Sequence, residues 1–263
     1  MNTVTSKDGT SIAFDRSGDG PPIVVVGGAL STRAAAGTLA GLLAPSFTVY
    51  AYDRRGRGDS GDTAPYAVER EVEDIQALVE DAGGTAAAFG HSSGGVLALE
   101  AAARTLGITK LALYEPPFIV DASRPALPDD YVERLTELAS TDRRGDAIEY
   151  FMVTGVGMPP EAVAPMKDES FWPAMEAVAH TLPYDGKVLG DNMAGQPLLS
   201  DRWASVTIPT LVIDGGASPP WLGNGAQGLV DVLPDAQRRT LEGQTHEVDP
   251  ALLAPVLEEF FAG

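Results

Sequence analysis

The chain has 263 residues, 44% hydrophobic and 21% charged, and its 37 acidic side chains against 18 Lys and Arg give a formal charge of −19. That length suits one large domain with a buried core, and so acidic a surface repels phosphate backbones and anionic lipid headgroups, which excludes nucleic acid and membranes as expected partners. With no cysteine in the sequence, disulfides, thiolate nucleophiles and thiolate metal sites are excluded together.

The opening residues contain no apolar core of a signal peptide, and no apolar run approaches the ~20 residues that span a bilayer, so a cytoplasmic protein is expected. Short β-rich runs at 3–6 and 11–15 flank Asp8-Gly9, a hairpin turn signal. The continuous apolar run at 23–26 suits a central strand buried on both faces, and is followed by a helix at 33–43 and a strand at 48–52. A helix at 67–82, a strand at 86–89, a helix at 94–105 and a strand at 111–114 continue the alternation. Between Pro116 and Ile208 the strand pattern stops. Helical stretches at 131–138 and 146–153 lie there among scattered prolines and aromatics, including Phe151, Phe171, Trp172 and Trp203. A strand at 210–213, a strand at 238–241 and a helix at 250–261 then resume the pattern. The expectation is an α/β fold: a mostly parallel, eight-stranded sheet flanked by helices. Its core is expected over 1–116 and 207–263, with 117–206 inserted as a helical lid over the C-terminal edge of the strands.

The strand at 86–89 runs into Gly90-His91-Ser92-Ser93-Gly94-Gly95, and a helix begins at once. This is G-x-S-x-G in the strand–turn–helix context the motif requires, a strained turn that lifts a serine hydroxyl clear of the sheet. Gly90, Gly94 and Gly95 lack the Cβ atoms that would collide with neighbouring backbone. The Ser93 amide, at the helix start, is expected to face the oxygen of a bound acyl group.

On these residues the chain resembles the α/β-hydrolase family over nearly its whole length. Asp53-Arg54-Arg55-Gly56-Arg57-Gly58-Asp59-Ser60 is similar to the family's Arg-Gly-x-Gly-x-Ser turn, which supports the site without reacting. Gly27-Gly28-Ala29 resembles the family's His-Gly-x segment, with Gly27 where His is common; the resemblance implies that the Ala29 amide is the second oxyanion-hole donor beside Ser93. The family's catalytic His lies between a late strand and the C-terminal helix, which implies His246 as the base for Ser92. His91, inside the elbow, reads as a packing or orienting residue, and His180 as a structural or surface residue of the lid. Three histidines so dispersed make no metal site.

The family's Asp usually follows the strand at 210–213 in a Gly-x-x-Asp turn. Here that turn reads Asp214-Gly215-Gly216-Ala217-Ser218, so Ser218 stands at the acid position. Some relatives carry the acid after the preceding strand instead, where this chain has Glu115, and Glu115 is the expected acid. Asp214 is the alternative and Asp121 a distant third. A serine nucleophile points to acyl chemistry, because a serine alkyl ether would be a dead end. Carboxylic ester or lactone hydrolysis through an acyl-enzyme is the leading expectation. Perhydrolysis and carbon–carbon bond hydrolysis are open on the same residues, as is a ligand-binding relative weakened in catalysis. No organic cofactor or metal is implied, and the expected partner is a small-molecule substrate with an apolar part.

Overall fold

The computed structural model describes residues 1–104 and 107–263. The chain opens with the antiparallel pair β1 (Asn2–Thr5) and β2 (Ser11–Ser17), turned through Gly9 at φ +88°. Next come β3 (Pro22–Val26), a 3-10 turn over Arg33–Ala36, helix α1 (Gly37–Leu43), β4 (Thr48–Tyr52) and α2 (Val68–Asp81). β5 (Ala86–His91), α3 (Ser93–Arg104) and β6 (Ile108–Tyr114) follow; the expected end of α3 at Thr105 lies outside the described residues. A helical segment then holds α4 (Tyr131–Ser140), α5 (Arg144–Tyr150) continuing into a π-helical turn (Phe151–Val156), α6 (Pro160–Val163), α7 (Trp172–Val178) and α8 (Leu182–Leu189). The chain returns to the sheet with β7 (Thr210–Gly215), α9 (Pro220–Val232), β8 (Ala236–Leu241) and α10 (Pro250–Ala262).

The eight strands lie in the order β1-β2-β4-β3-β5-β6-β7-β8, antiparallel at β1–β2 and β2–β4 and parallel from β4 to β8. The two-residue period of β3 decides which layer each side chain joins. Ile23 and Val25 pack with α1 and α10, whereas Val24 and Val26 pack with α2 and α3 on the opposite face. On α2 the buried stripe is Glu71, Val72, Asp74, Ile75, Leu78 and Val79, a helical repeat interrupted by two carboxylates. Both are answered by buried arginines of the turn after β4. Arg54 donates to Glu71 through Nε and Nη2, each at 2.7 Å, and Arg55 donates to Asp74 at 2.8 and 2.7 Å. The helical segment has a core of its own, in which Tyr131, Leu135, Ile148, Trp172 and Leu182 are buried with Ala29 and Leu30 packed against them.

Helix α9 departs from the sequence-based expectation, which placed no helix there. Pro219-Pro220 and glycines 223, 225 and 228 weaken the local helical signal, yet Leu222, Ala226 and Leu229 are buried on one stripe against the sheet. A Cβ at Gly225 would stand 2.5 Å from the Phe118 carbonyl oxygen, so the glycine admits a close approach between α9 and the segment after β6.

Candidate active site

β5 ends at His91 and α3 begins at Ser93, which leaves Ser92 alone between them with φ +56°. A non-glycine residue in that region costs on the order of 1–3 kcal/mol and persists only where its surroundings hold it. Here the Ser92 N–H donates to the Tyr114 carbonyl at 2.9 Å and the Ser92 carbonyl accepts from the Gly95 N–H at 2.9 Å. The β3 end comes close from the other side: a Cβ on Gly28 would lie 3.0 Å from the Ser92 Cβ. Ser92, Ser93 and Ala29 line one cleft of about 120 Å³, together with His246, and its remaining wall is largely apolar, with Tyr131, Phe151 and Trp221.

Glu115 directly follows β6, is fully buried, and has φ +44°. Its two oxygens have separate partners. Oε1 accepts from the Gly215 N–H at 2.8 Å, and Oε2 lies 2.8 Å from His246 Nδ1. Because a carboxylate only accepts, Nδ1 carries the proton and Nε2 is left as the free lone pair of the imidazole. Asp214, the alternative carboxylate, makes no such contact. It is buried against Arg238, which donates to it at 2.8 and 2.9 Å, and takes a third bond from Thr240 at 3.1 Å. Asp121 is bound to Ser123 and Asn224. Ser218, at the position where an acid was expected by family pattern, has a buried hydroxyl with no hydrogen-bond partner among the described residues.

The loop carrying His246 is held by its carbonyls. Tyr114 donates its hydroxyl to the Thr245 oxygen at 2.6 Å, and His91 Nε2 donates to the His246 oxygen at 3.0 Å. His91 thus orients the loop, and its ring lies 4.8 Å from that of His246. Burial, with a smaller push from His246, lowers the His91 pKa to about 4, so it stays a neutral donor near pH 7. The unfolded chain takes up this proton as pH falls below about 6.5, and the folded protein only near pH 4. His91 therefore contributes its stability above pH 6.5 and loses it as pH falls toward 4, a change on the order of 3 kcal/mol. Thermal unfolding followed from pH 7 to pH 4 should show this decline, and His91→Phe should flatten it; superimposable profiles would contradict the assignment. His180, from the helical segment, sits half-buried against Gly56 of the turn after β4.

One cleft residue was not found from the sequence. Asp185 of α8 is buried and accepts from Arg54, Arg57 and Ser93. As a lone Asp beside Pro183 and Gly186 it carries no motif. The available signal was indirect: a turn with three arginines exceeds the two carboxylates that α2 buries.

The family model for the alpha/beta hydrolase family matches residues 12–257. A solved alpha/beta hydrolase from Sphaerobacter thermophilus is 60% identical, with a TM-score of 0.92 over 99% of this chain and 100% of that one. This chain belongs to the alpha/beta hydrolase family. Two more distant structures share its fold: a thermophilic esterase from Thermogutta terrifontis (21% identity, TM-score 0.72, 99% and 97% of the two chains) and an enol-lactonase from Burkholderia xenovorans (19%, TM-score 0.70, 100% of both). No curated protein matches the sequence. The protein is therefore an enzyme of the hydrolase type, and among its described residues no helix is long and apolar enough to cross a membrane.

Proposed function

We propose that this alpha/beta hydrolase cleaves a carboxylic ester or lactone through an acyl-enzyme on Ser92, with His246 as general base and Glu115 as the acid that orients it. The observation that carries this reading is the shared cleft: Ser92 on its left-handed turn and His246, bonded to Glu115 at 2.8 Å, line the same small apolar cavity. His246 Nε2 takes the hydroxyl proton as Ser92 Oγ attacks the acyl carbon. Negative charge moves to the carbonyl oxygen, where the Ala29 and Ser93 amides stabilise it; losing one such donor typically costs ~3 kcal/mol. Collapse expels the alcohol, which receives the proton from His246. Water, activated by the same imidazole, then attacks the acyl-enzyme and releases the acid. Glu115 stabilises the imidazolium formed in both halves.

In this reading the segment 117–206 acts as a cap. Tyr131, Phe151 and Asp185 bring side chains of that segment into the lining of the cleft that holds Ser92, and the limited volume favours a small acyl group with an apolar part. A receptor role is disfavoured because the carboxylate–imidazole pair and the strained serine serve no purpose in simple binding. Activated esters of stepped acyl length and a set of small lactones, assayed with wild type and Ser92→Ala, test the reading. Turnover by wild type, greatest for short acyl chains and reduced to background in Ser92→Ala, is expected. Equal turnover by the two proteins would refute it.

A further inference from the structure

We infer that Asp185, a residue of the helical segment, is a positioning residue for the oxyanion hole: through Arg57 and Ser93 it fixes both amides that would hold the transition-state charge. This rests on the serine-hydrolase reading above and adds to it a dependence of the hole on a segment outside the sheet.

The geometry runs outward from one carboxylate. Asp185 Oδ1 accepts from Ser93 Oγ and from Arg54 Nη1, each at 2.7 Å, and Oδ2 accepts from Arg57 Nη2 at 2.6 Å. Arg57 uses its other terminal nitrogen, Nη1, to donate to the Gly28 carbonyl at 2.6 Å, and Ser31 Oγ donates to the same oxygen at 2.7 Å. The Gly28 carbonyl and the Ala29 N–H belong to one planar trans peptide, so holding the oxygen fixes where the N–H points, on the opposite side. Two donors on that oxygen also polarise the peptide and strengthen the N–H as a donor. On the second arm, Ser93 is the first residue of α3, where the backbone N–H has no partner within the helix and is free to face a ligand. Its side chain is tied down by Asp185.

The cluster is balanced: Arg54 and Arg57 face Glu71 and Asp185, two positive charges against two negative, all buried. Burial alone would raise the Asp185 carboxyl, but the Arg57 and Arg54 charges outweigh it and hold the group below its ordinary range, so it is ionised at neutral pH. An amide at this position fails on chemistry rather than size. Asparagine offers one acceptor oxygen, and whichever way it turns its NH2 meets a donor from Arg57 or from Arg54 and Ser93. The same turn supplies an internal comparison. Arg55 is paired with Asp74 in an equally buried bidentate contact, and neither residue hydrogen-bonds to Gly28 or Ser93.

The test uses the full-length protein, an activated short-chain ester, and an alkyl boronic acid that forms a tetrahedral adduct on a reactive serine. Asp185→Asn should lower kcat by roughly 10- to 100-fold with KM within about threefold, and weaken the boronate by a similar factor. Asp74→Asn, matched in burial, should lower the unfolding temperature and leave kcat within about threefold. Ser93→Ala keeps the amide and removes one arm; it should lower kcat by roughly 3- to 10-fold with a smaller loss of unfolding temperature than Asp74→Asn, and it decides the matter if Asp185→Asn does not fold. Equal kcat losses in Asp185→Asn and Asp74→Asn, a change in KM alone, or a Ser93→Ala enzyme with unaltered kcat and boronate affinity would overturn the inference while leaving the serine mechanism standing. A wild type that neither turns over the ester nor binds the boronate would overturn both.

Discussion

Glu115→Gln should lower kcat by roughly two to four powers of ten while the protein keeps its fold. The glutamine fills the same volume and can still accept the Gly215 N–H, now bonded to Oε1 at 2.8 Å, so the backbone around it is preserved. What changes is the group facing His246 Nδ1. An amide NH2 there would donate to the ring, turn Nδ1 into the acceptor and move the ring proton to Nε2, which removes the base that Ser92 needs. A neutral amide that presents its oxygen instead would keep the tautomer but could not stabilise the imidazolium by charge. Asp214→Asn should leave kcat within about threefold, because Asp214 is engaged with Arg238 and Thr240, and should cost stability instead. Ser218→Asp, placed where the family more often carries its acid, should restore part of the activity lost in Glu115→Gln. Steady-state kinetics on one activated ester decides all three; near wild-type turnover in Glu115→Gln would remove Glu115 from the mechanism.

Gly94→Ala should cost on the order of 4 kcal/mol or more, or prevent folding altogether. A Cβ at Gly94 would overlap the Val26 carbonyl oxygen and lie 2.5 Å from that of Gly27. Both are backbone atoms at the end of β3, so neither can rotate away, and relief requires lifting α3 off the sheet. Lifting α3 would also move Ser93 and the turn that holds Ser92. Gly41→Ala provides the contrast. That glycine lies in α1 with nothing within 4 Å of its added Cβ, and the substitution should raise stability by about 0.5–1 kcal/mol. Chemical denaturation of the two variants should move in opposite directions from wild type; a Gly94→Ala protein as stable as wild type would contradict the close packing of β3 against α3.

Much of the sheet was legible because its signals are local. The runs at 23–26, 48–52 and 210–213 are mostly apolar and rich in β-branched or aromatic residues, and each lies in a strand buried on both faces. The serine turn was equally plain, since its glycines answer to atoms within a few residues or on the adjoining strand. The pairing of Glu115 with His246 spans 131 positions and was inferred from a missing Asp, not from any pattern around Glu115 itself. Helix α9 was lost to its prolines and glycines, whose cost is offset by tertiary burial that no local window contains. The arginine turn was recognised as supporting the site, yet its partners are dispersed. Glu71 and Asp74 interrupt the apolar stripe of α2, and Asp185 comes from α8, more than a hundred residues further on. Carboxylates on a buried stripe call for buried cations, and that signal could have linked α2 to the turn; the surplus arginine of the turn called for a further carboxylate without marking Asp185 as the one.

Covalent labelling reads the central proposal most directly. Folded protein treated with a fluorophosphonate and mapped by mass spectrometry should carry one adduct, on Ser92, and Ser92→Ala should carry none. The rate of labelling should fall in Glu115→Gln in proportion to its loss of turnover. An adduct on another residue, or folded wild-type protein that remains unlabelled, would contradict the assignment of Ser92 as an activated nucleophile.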